Sequence, residues 1–228
     1  MESPFAPREN PWDKLKQVDE PPVFYVATRY RWRWREEDAF WRAAESAVRS
    51  FRERVQRLEH HRLAVGIGSG VGRLTVPLGR KFLRVKVVDP SSVTSQRLRD
   101  TCQRFGVCNV EVLRDVERWE DEPADAVCST LFFTHIGELT IIEGYVERIA
   151  RCLTGIAFLH FDTTPKTRIE KFAERLPARH PVGLQPRPEK RCQYDAATLR
   201  AMFTGHSLHV EDEANPHSSH HVFVLSKP

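Results

Sequence analysis

No stretch of this chain approaches the ~18–20 consecutive apolar residues of a membrane-spanning helix, and the opening Met1-Glu2-Ser3-Pro4 carries no signal-peptide core. A soluble, cytoplasmic protein with no membrane partner is therefore expected. Cysteine is sparse and unpaired: the five, at 102, 108, 128, 152 and 192, form no C-x-x-C pair and no Cys/His group at zinc spacing. An odd number also fits poorly with a secreted disulfide framework, so reduced thiols and no metal are expected. Nothing repeats internally, which argues against a solenoid or propeller. Lysine is scarce, 8 against 27 arginines, and the net charge of +4 is too small by itself to mark a nucleic-acid partner.

What is present is a globular composition, 40% hydrophobic and 29% charged over 228 residues, enough for one ordinary core. The expected division is an N-terminal arm and possible lid over 1–35, followed by a folded domain over 36–228. Residues 1–24 are proline-rich and polar, as an extended arm is. In 25–35 aromatics alternate with arginines, Tyr30-Arg31-Trp32-Arg33-Trp34-Arg35. Such a segment can stack on bases or pack its rings on the domain and close over a pocket; the packing reading is favoured. From Glu36 to His60 apolar residues recur at helical spacing, giving a long amphipathic helix.

The centre of the chain is Leu63-Ala64-Val65-Gly66-Ile67-Gly68-Ser69-Gly70-Val71-Gly72-Arg73-Leu74. It reads as a buried strand, a glycine turn and a helix running to about Lys81. Glycine suits a ligand cradle because it tolerates positive φ and keeps no side chain between the ligand and the backbone N–H groups. A dinucleotide fingerprint needs a third glycine three places after the second, and those places are Val71 or Arg73. Downstream the pattern alternates. Strands are expected at 84–89, 109–113, 125–136 and 155–162, and helices at 92–105 and 138–153. A short helix capped by Asp195 and two strands, 207–212 and 219–226, end the chain. The architecture expected is a doubly wound, mostly parallel α/β sheet of seven strands with a C-terminal antiparallel hairpin. Ligands of such sheets sit outside the carboxyl ends of the strands. Asp89, ending the second strand, can there accept both ribose hydroxyls of an adenosine or, alternatively, serve as a turn acid before the Pro90-Ser91-Ser92 helix start.

The Gly68-x-Gly70-x-Gly72 turn after an apolar strand resembles the first motif of the class I S-adenosylmethionine-dependent methyltransferases. The resemblance is dense from about residue 60 to 162, and the 125–136 segment closes in Thr134-His135-Ile136 where a small-molecule subset has Gln-His-Ile. It implies S-adenosylmethionine as cofactor, S-adenosylhomocysteine as product, and a cofactor site of Gly66, Gly68, Ser69, Gly70, Gly72 and Asp89. It also implies Asp115 and Val116 at the adenine, although a loop aspartate reads equally well there. His135 is the candidate base for a small-molecule methyl acceptor, or else only lines the methionine end; His160 and Asp162 are weaker candidates. The Asn/Asp-Pro-Pro-aromatic tetrapeptide of amino-methylating nucleic-acid enzymes is missing, Ser129-Thr130-Leu131-Phe132 standing instead, so a nucleic acid is the less favoured acceptor. An RNA methyltransferase, or a methyltransferase fold that binds without transferring methyl, stands as the alternative. The chief departure is Gly66, where the family usually has the acid that meets the cofactor's amino group; losing such a contact costs about 1.5–3 kcal/mol unless it is replaced. His217, His220 and His221 are read as surface or turn histidines, since adjacent strand residues point to opposite faces.

Overall fold

Alternate residues of each strand serve opposite layers in the computed structural model, which describes residues 51–114, 118–165 and 192–228. The arm over 1–35, the first part of the long helix, Asp115 and Val116, and residues 166–191 lie outside the described residues. The strands are β1 (Leu63–Ile67), β2 (Arg84–Val88), β3 (Val110–Leu113), β4 (Ala124–Ser129), β5 (Leu153–Phe161), β6 (His209–Ala214) and β7 (His221–Ser226). They form one sheet in the order β3-β2-β1-β4-β5-β7-β6. The first five are mutually parallel, and β7 runs antiparallel to both β5 and β6. This is the expected seven-stranded α/β sheet with its terminal hairpin.

The two-residue strand period builds two cores. Val65 and Ile67 of β1, Leu159 and Phe161 of β5, and Phe223 and Leu225 of β7 pack with α3 (Leu139–Cys152) and α4 (Ala196–Gly205). The opposite face sets Ala64, Val85, Val87, Ala126 and Cys128 against α2 (Ser92–Arg104) and the helical residues 51–55. Central strands buried on both faces need continuous apolar sequence, and β1 and β4 are buried throughout. At the sheet's amino edge the buried Asp125 carboxylate accepts from the N–H groups of Arg62 (2.7 Å) and Leu63 (3.1 Å), fixing the start of β1 against β4.

Several boundaries depart from the sequence reading. The helix expected to reach His60 ends at residue 55, where the His61 ring meets the Val55 carbonyl at 2.8 Å. The helix after the glycine turn is only α1 (Thr75–Gly79), because residues 70–74 remain a turn. The hairpin strands begin two residues later than expected, at His209 and His221. The largest change is in the fourth strand. β4 stops at Ser129, the last residue with partners on both sides, Ile67 of β1 and Leu159 of β5. Leu131 then takes a left-handed conformation (φ 63°) and Phe133–His135 form a 3-10 turn. The apolar run that suggested a longer strand serves ring packing instead: Phe133 stacks on Phe161 (5.1 Å, 6°) and Phe132 meets Tyr145 edge-on (5.4 Å, 82°).

The described cysteines are all free thiols, and Cys102, Cys128 and Cys152 are buried. Burial pushes the thiols of Cys128 and Cys152 up to about 12, so they are inert packing groups.

Candidate functional site

The carboxyl ends of β1, β2 and β4 open onto one cleft, lined by Gly68 to Val71, Arg73, Leu74, Asp89, Pro90, Thr94, Thr130 to Phe132 and His135. That is the crevice position expected for a doubly wound sheet. Gly68, Gly70 and Gly72 all have positive φ (65°, 54° and 95°), a conformation that favours glycine. The turn is closed by Gly68 N–H donating to the Val88 carbonyl (2.8 Å) and Gly72 N–H to the Ser69 carbonyl (3.0 Å). A Cβ on Gly68 would lie 2.3 Å from the Phe132 ring, and one on Gly72 2.6 Å from a Leu98 methyl. A Cβ on Gly70 would have nothing within 4 Å. Gly68 and Gly72 are thus closed in by packing, whereas Gly70 leaves an open cradle on the cleft.

Asp89 is 6% exposed. Its Oδ1 accepts from Ser91 N–H (2.9 Å) and the Thr94 hydroxyl (2.7 Å), the turn-acid arrangement. Its Oδ2 accepts from Gly70 N–H (3.3 Å), so this oxygen faces the glycine turn. Asp89 N–H donates to the Leu113 carbonyl (3.1 Å), which brings the end of β3 alongside. Asp115 and Val116, two and three residues further on, fall outside the described residues.

At Gly66 a Cβ would lie 2.5 Å from Ser69 Oγ and 3.8 Å from Val87. The Ser69 hydroxyl therefore occupies the space that an acid at this position would enter. Arg73 also lines the cleft, its guanidinium held below its ordinary value by burial.

The far wall is the 130–136 segment, and the chain returning at Cys192 straps it down. Cys192 N–H donates to the Thr134 carbonyl (2.7 Å), and Tyr194 N–H to that of Asp162 (2.9 Å). The Tyr194 hydroxyl lies between the carbonyls of Phe133 (3.1 Å) and Ile136. Burial raises the Tyr194 pKa, which keeps this phenol a donor. His135 sits in the 3-10 turn, on the cleft, and its own N–H donates to the Phe132 carbonyl (3.0 Å).

Gly68, Ser69, Gly70, Asp89 and His135 thus line one cleft, and Gly66 and Gly72 are not part of its lining. Of the weaker base candidates, Asp162 accepts from Thr164 N–H (3.0 Å) and His160 is bonded to backbone on both ring nitrogens. Sequence reasoning missed Thr94, Arg73, Leu131 and Phe132. A hydroxyl five residues after Asp89 was a usable signal for Thr94; the Phe132 contact with Gly68 had none. Nor is His221 a surface residue as expected: it is fully buried, with Nδ1 on the Thr163 hydroxyl (2.8 Å) and Nε2 on Glu213 (2.9 Å). Among the described residues no three His, Cys, Asp or Glu side chains are grouped to hold a metal ion, and no helix is long and apolar enough to cross a membrane.

The strand order, the terminal hairpin and a glycine-turn cleft between β1, β2 and β4 define the Rossmann-like methyltransferase fold. Residues 65–159 match the family model described as a methyltransferase domain. Solved structures agree on the fold. Magnesium protoporphyrin IX methyltransferase from Synechocystis PCC 6803, with bound S-adenosylhomocysteine, superposes at TM-score 0.61 and 15% identity, covering 83% of this chain and 84% of that one. An S-adenosylmethionine-dependent methyltransferase from Clostridium acetobutylicum gives 0.58 and 10%, over 84% and 98%. A putative methyltransferase from Haloferax volcanii, in complex with the Trm112 activator, gives 0.57 and 15%, over 84% and 95%. Identities this low carry the fold alone. Among curated proteins none matches the chain.

Proposed function

We propose that the protein transfers a methyl group from S-adenosylmethionine to an oxygen or nitrogen of a small metabolite, with the cofactor lying over the 68–72 turn. The observation that carries this reading is the convergence of the open Gly70 cradle, the Asp89 Oδ2 and His135 on one cleft at the carboxyl edge of the sheet. The cofactor would supply an electrophilic methyl on a sulfonium, so the chain's task is to align, desolvate and manage one proton. Asp89 Oδ2 accepts the ribose hydroxyls, its other oxygen being pinned by Ser91 and Thr94. Asp115 and Val116 serve the adenine. Phe132, packed on Gly68, excludes water from one side of the turn. His135 takes the acceptor's proton at its imidazole, a base well populated near neutral pH.

Calorimetric titration with S-adenosylhomocysteine tests the reading. Saturable binding by the wild type, weakened at least tenfold by Asp89→Ala, is expected. No saturable binding at millimolar ligand, or full affinity in Asp89→Ala, overturns it. The acceptor class is read by transfer of labelled methyl into pooled small metabolites against total RNA. The small-molecule fraction is expected to carry the label, and label confined to RNA would refute that part.

A further inference from the structure

We propose that His160 is a positioning residue: as a neutral imidazole protonated on Nε2 it pins the Leu131 backbone and so sets the cleft wall of Leu131, Phe132 and His135. This rests on the reading of the cleft as the adenosyl site. His160 is 5% exposed on β5, one residue beyond Leu159, the last partner of β4. Its Nδ1 lies 3.3 Å from Leu131 N and its Nε2 3.1 Å from the Ser219 carbonyl oxygen. A backbone N–H only donates and a carbonyl only accepts, so Nδ1 carries the lone pair and Nε2 the proton. The two bonds together admit one tautomer and exclude the imidazolium, which would set N–H against N–H at Leu131.

Leu131 needs such a pin. It is a non-glycine residue at φ 63°, a conformation that persists only where its surroundings impose it. Thr134 Oγ1 holds its carbonyl (2.5 Å) and His160 holds its N–H. The next residue is Phe132, whose ring lies where a Gly68 Cβ would be and whose carbonyl receives the His135 N–H. Displacement of Leu131 therefore shifts the ring over the glycine turn and the histidine at the acceptor side together. The His220 ring lies 5.3 Å from that of His160 on the β6–β7 connection and Asp162 follows two residues along, whereas His221 pairs with Phe161 and so faces the opposite side of the sheet.

The test is S-adenosylhomocysteine affinity by calorimetry from pH 8 to pH 5.5 for the wild type, His160→Asn and His160→Leu. Asparagine presents an amide oxygen near the Nδ1 position and accepts without titrating. Expected are a wild-type affinity that falls at least fivefold on acidification, a His160→Asn affinity within about threefold of wild type at pH 8 with that acid loss removed, and a tenfold or greater loss in His160→Leu at pH 8. Should His160→Leu fail to fold, the pH profile of His160→Asn decides alone. Full acid sensitivity in His160→Asn, or wild-type affinity in His160→Leu, overturns the proposal. Absence of binding by the wild type at pH 8 instead overturns the cofactor reading of the cleft.

Discussion

Gly68 and Gly70 stand two residues apart in one turn with similar φ, and they answer differently to a methyl group. At Gly70 alanine meets open space and suffers only the left-handed backbone, about 1–2 kcal/mol. At Gly68 the same strain is joined by a 2.3 Å collision with the Phe132 ring, and that ring is wedged against Tyr145 and Phe133. Gly68→Ala is thus expected to lower the melting temperature well beyond Gly70→Ala, whereas Gly70→Ala acts mainly on ligand affinity; melting and titration of both variants check this. Gly66 makes a third case. Its obstacle is Ser69 Oγ, the end of a rotatable side chain that can swing aside. Gly66→Asp places a carboxylate at the position where the methyltransferase motif that this turn resembles has an acid. A gained charge-assisted contact of about 1.5–3 kcal/mol predicts S-adenosylmethionine binding at least tenfold tighter. Because position 66 is buried in β1, the free variant melts lower than wild type.

The β6–β7 hairpin is an element whose stability depends on acid. Arg200 of α4 grips Glu213 with two bonds (2.6 and 2.7 Å), Glu213 meets the buried His221, and His221 meets Thr163 at the end of β5. Desolvation outweighs the attraction of Glu213 and holds His221 below its ordinary 6.5. The Arg200 guanidinium, helped by His221, holds Glu213 below 4.5. Between the depressed folded value and 6.5 the unfolded chain protonates His221 while the folded one does not, so stability falls as pH drops. Glu213 adds stability above 4.5 that is lost as pH falls through its folded value. Both groups therefore act with the same sign in successive windows. Calorimetric melting temperatures are expected to decline from pH 7.5 to 5.5, with a shallower decline in His221→Gln. The strands of this region were legible because alternation survives in Phe223 and Leu225; the burial of His221 was not, since one histidine pattern serves a surface turn or a buried pair equally. The same limit hid the end of β4. Apolar content identifies a buried segment, but strand length is set by where the neighbouring strands stop, and the pairing of Ser129 with Ile67 and Leu159 is a property of the assembled sheet. In the site, the glycine turn and Asp89 could be read because backbone geometry demands them locally. Phe132 and Thr94 could not, because their roles are contacts made across the cleft.

At the scale of the whole molecule the cleft is a joint. Its glycine turn comes from β1, Asp89 from β2 and the Leu131–His135 wall from β4, and the wall is itself tied to β5 through His160 and to the 192–194 strap through Tyr194. A ligand lying across these elements binds the folded chain only, so its binding free energy adds to the stability of the whole. At a hundredfold excess over Kd that addition is about 2.7 kcal/mol, which for a domain of this size raises the melting temperature by roughly 5–10 °C. S-adenosylhomocysteine is expected to produce this rise in the wild type, a smaller one at equal ligand concentration in Asp89→Ala, and next to none in Gly68→Ala, whose turn no longer fits beneath Phe132. Thermal melts at a series of ligand concentrations read all three, and an equal rise in the three proteins would mean that the ligand binds away from the 68–72 turn.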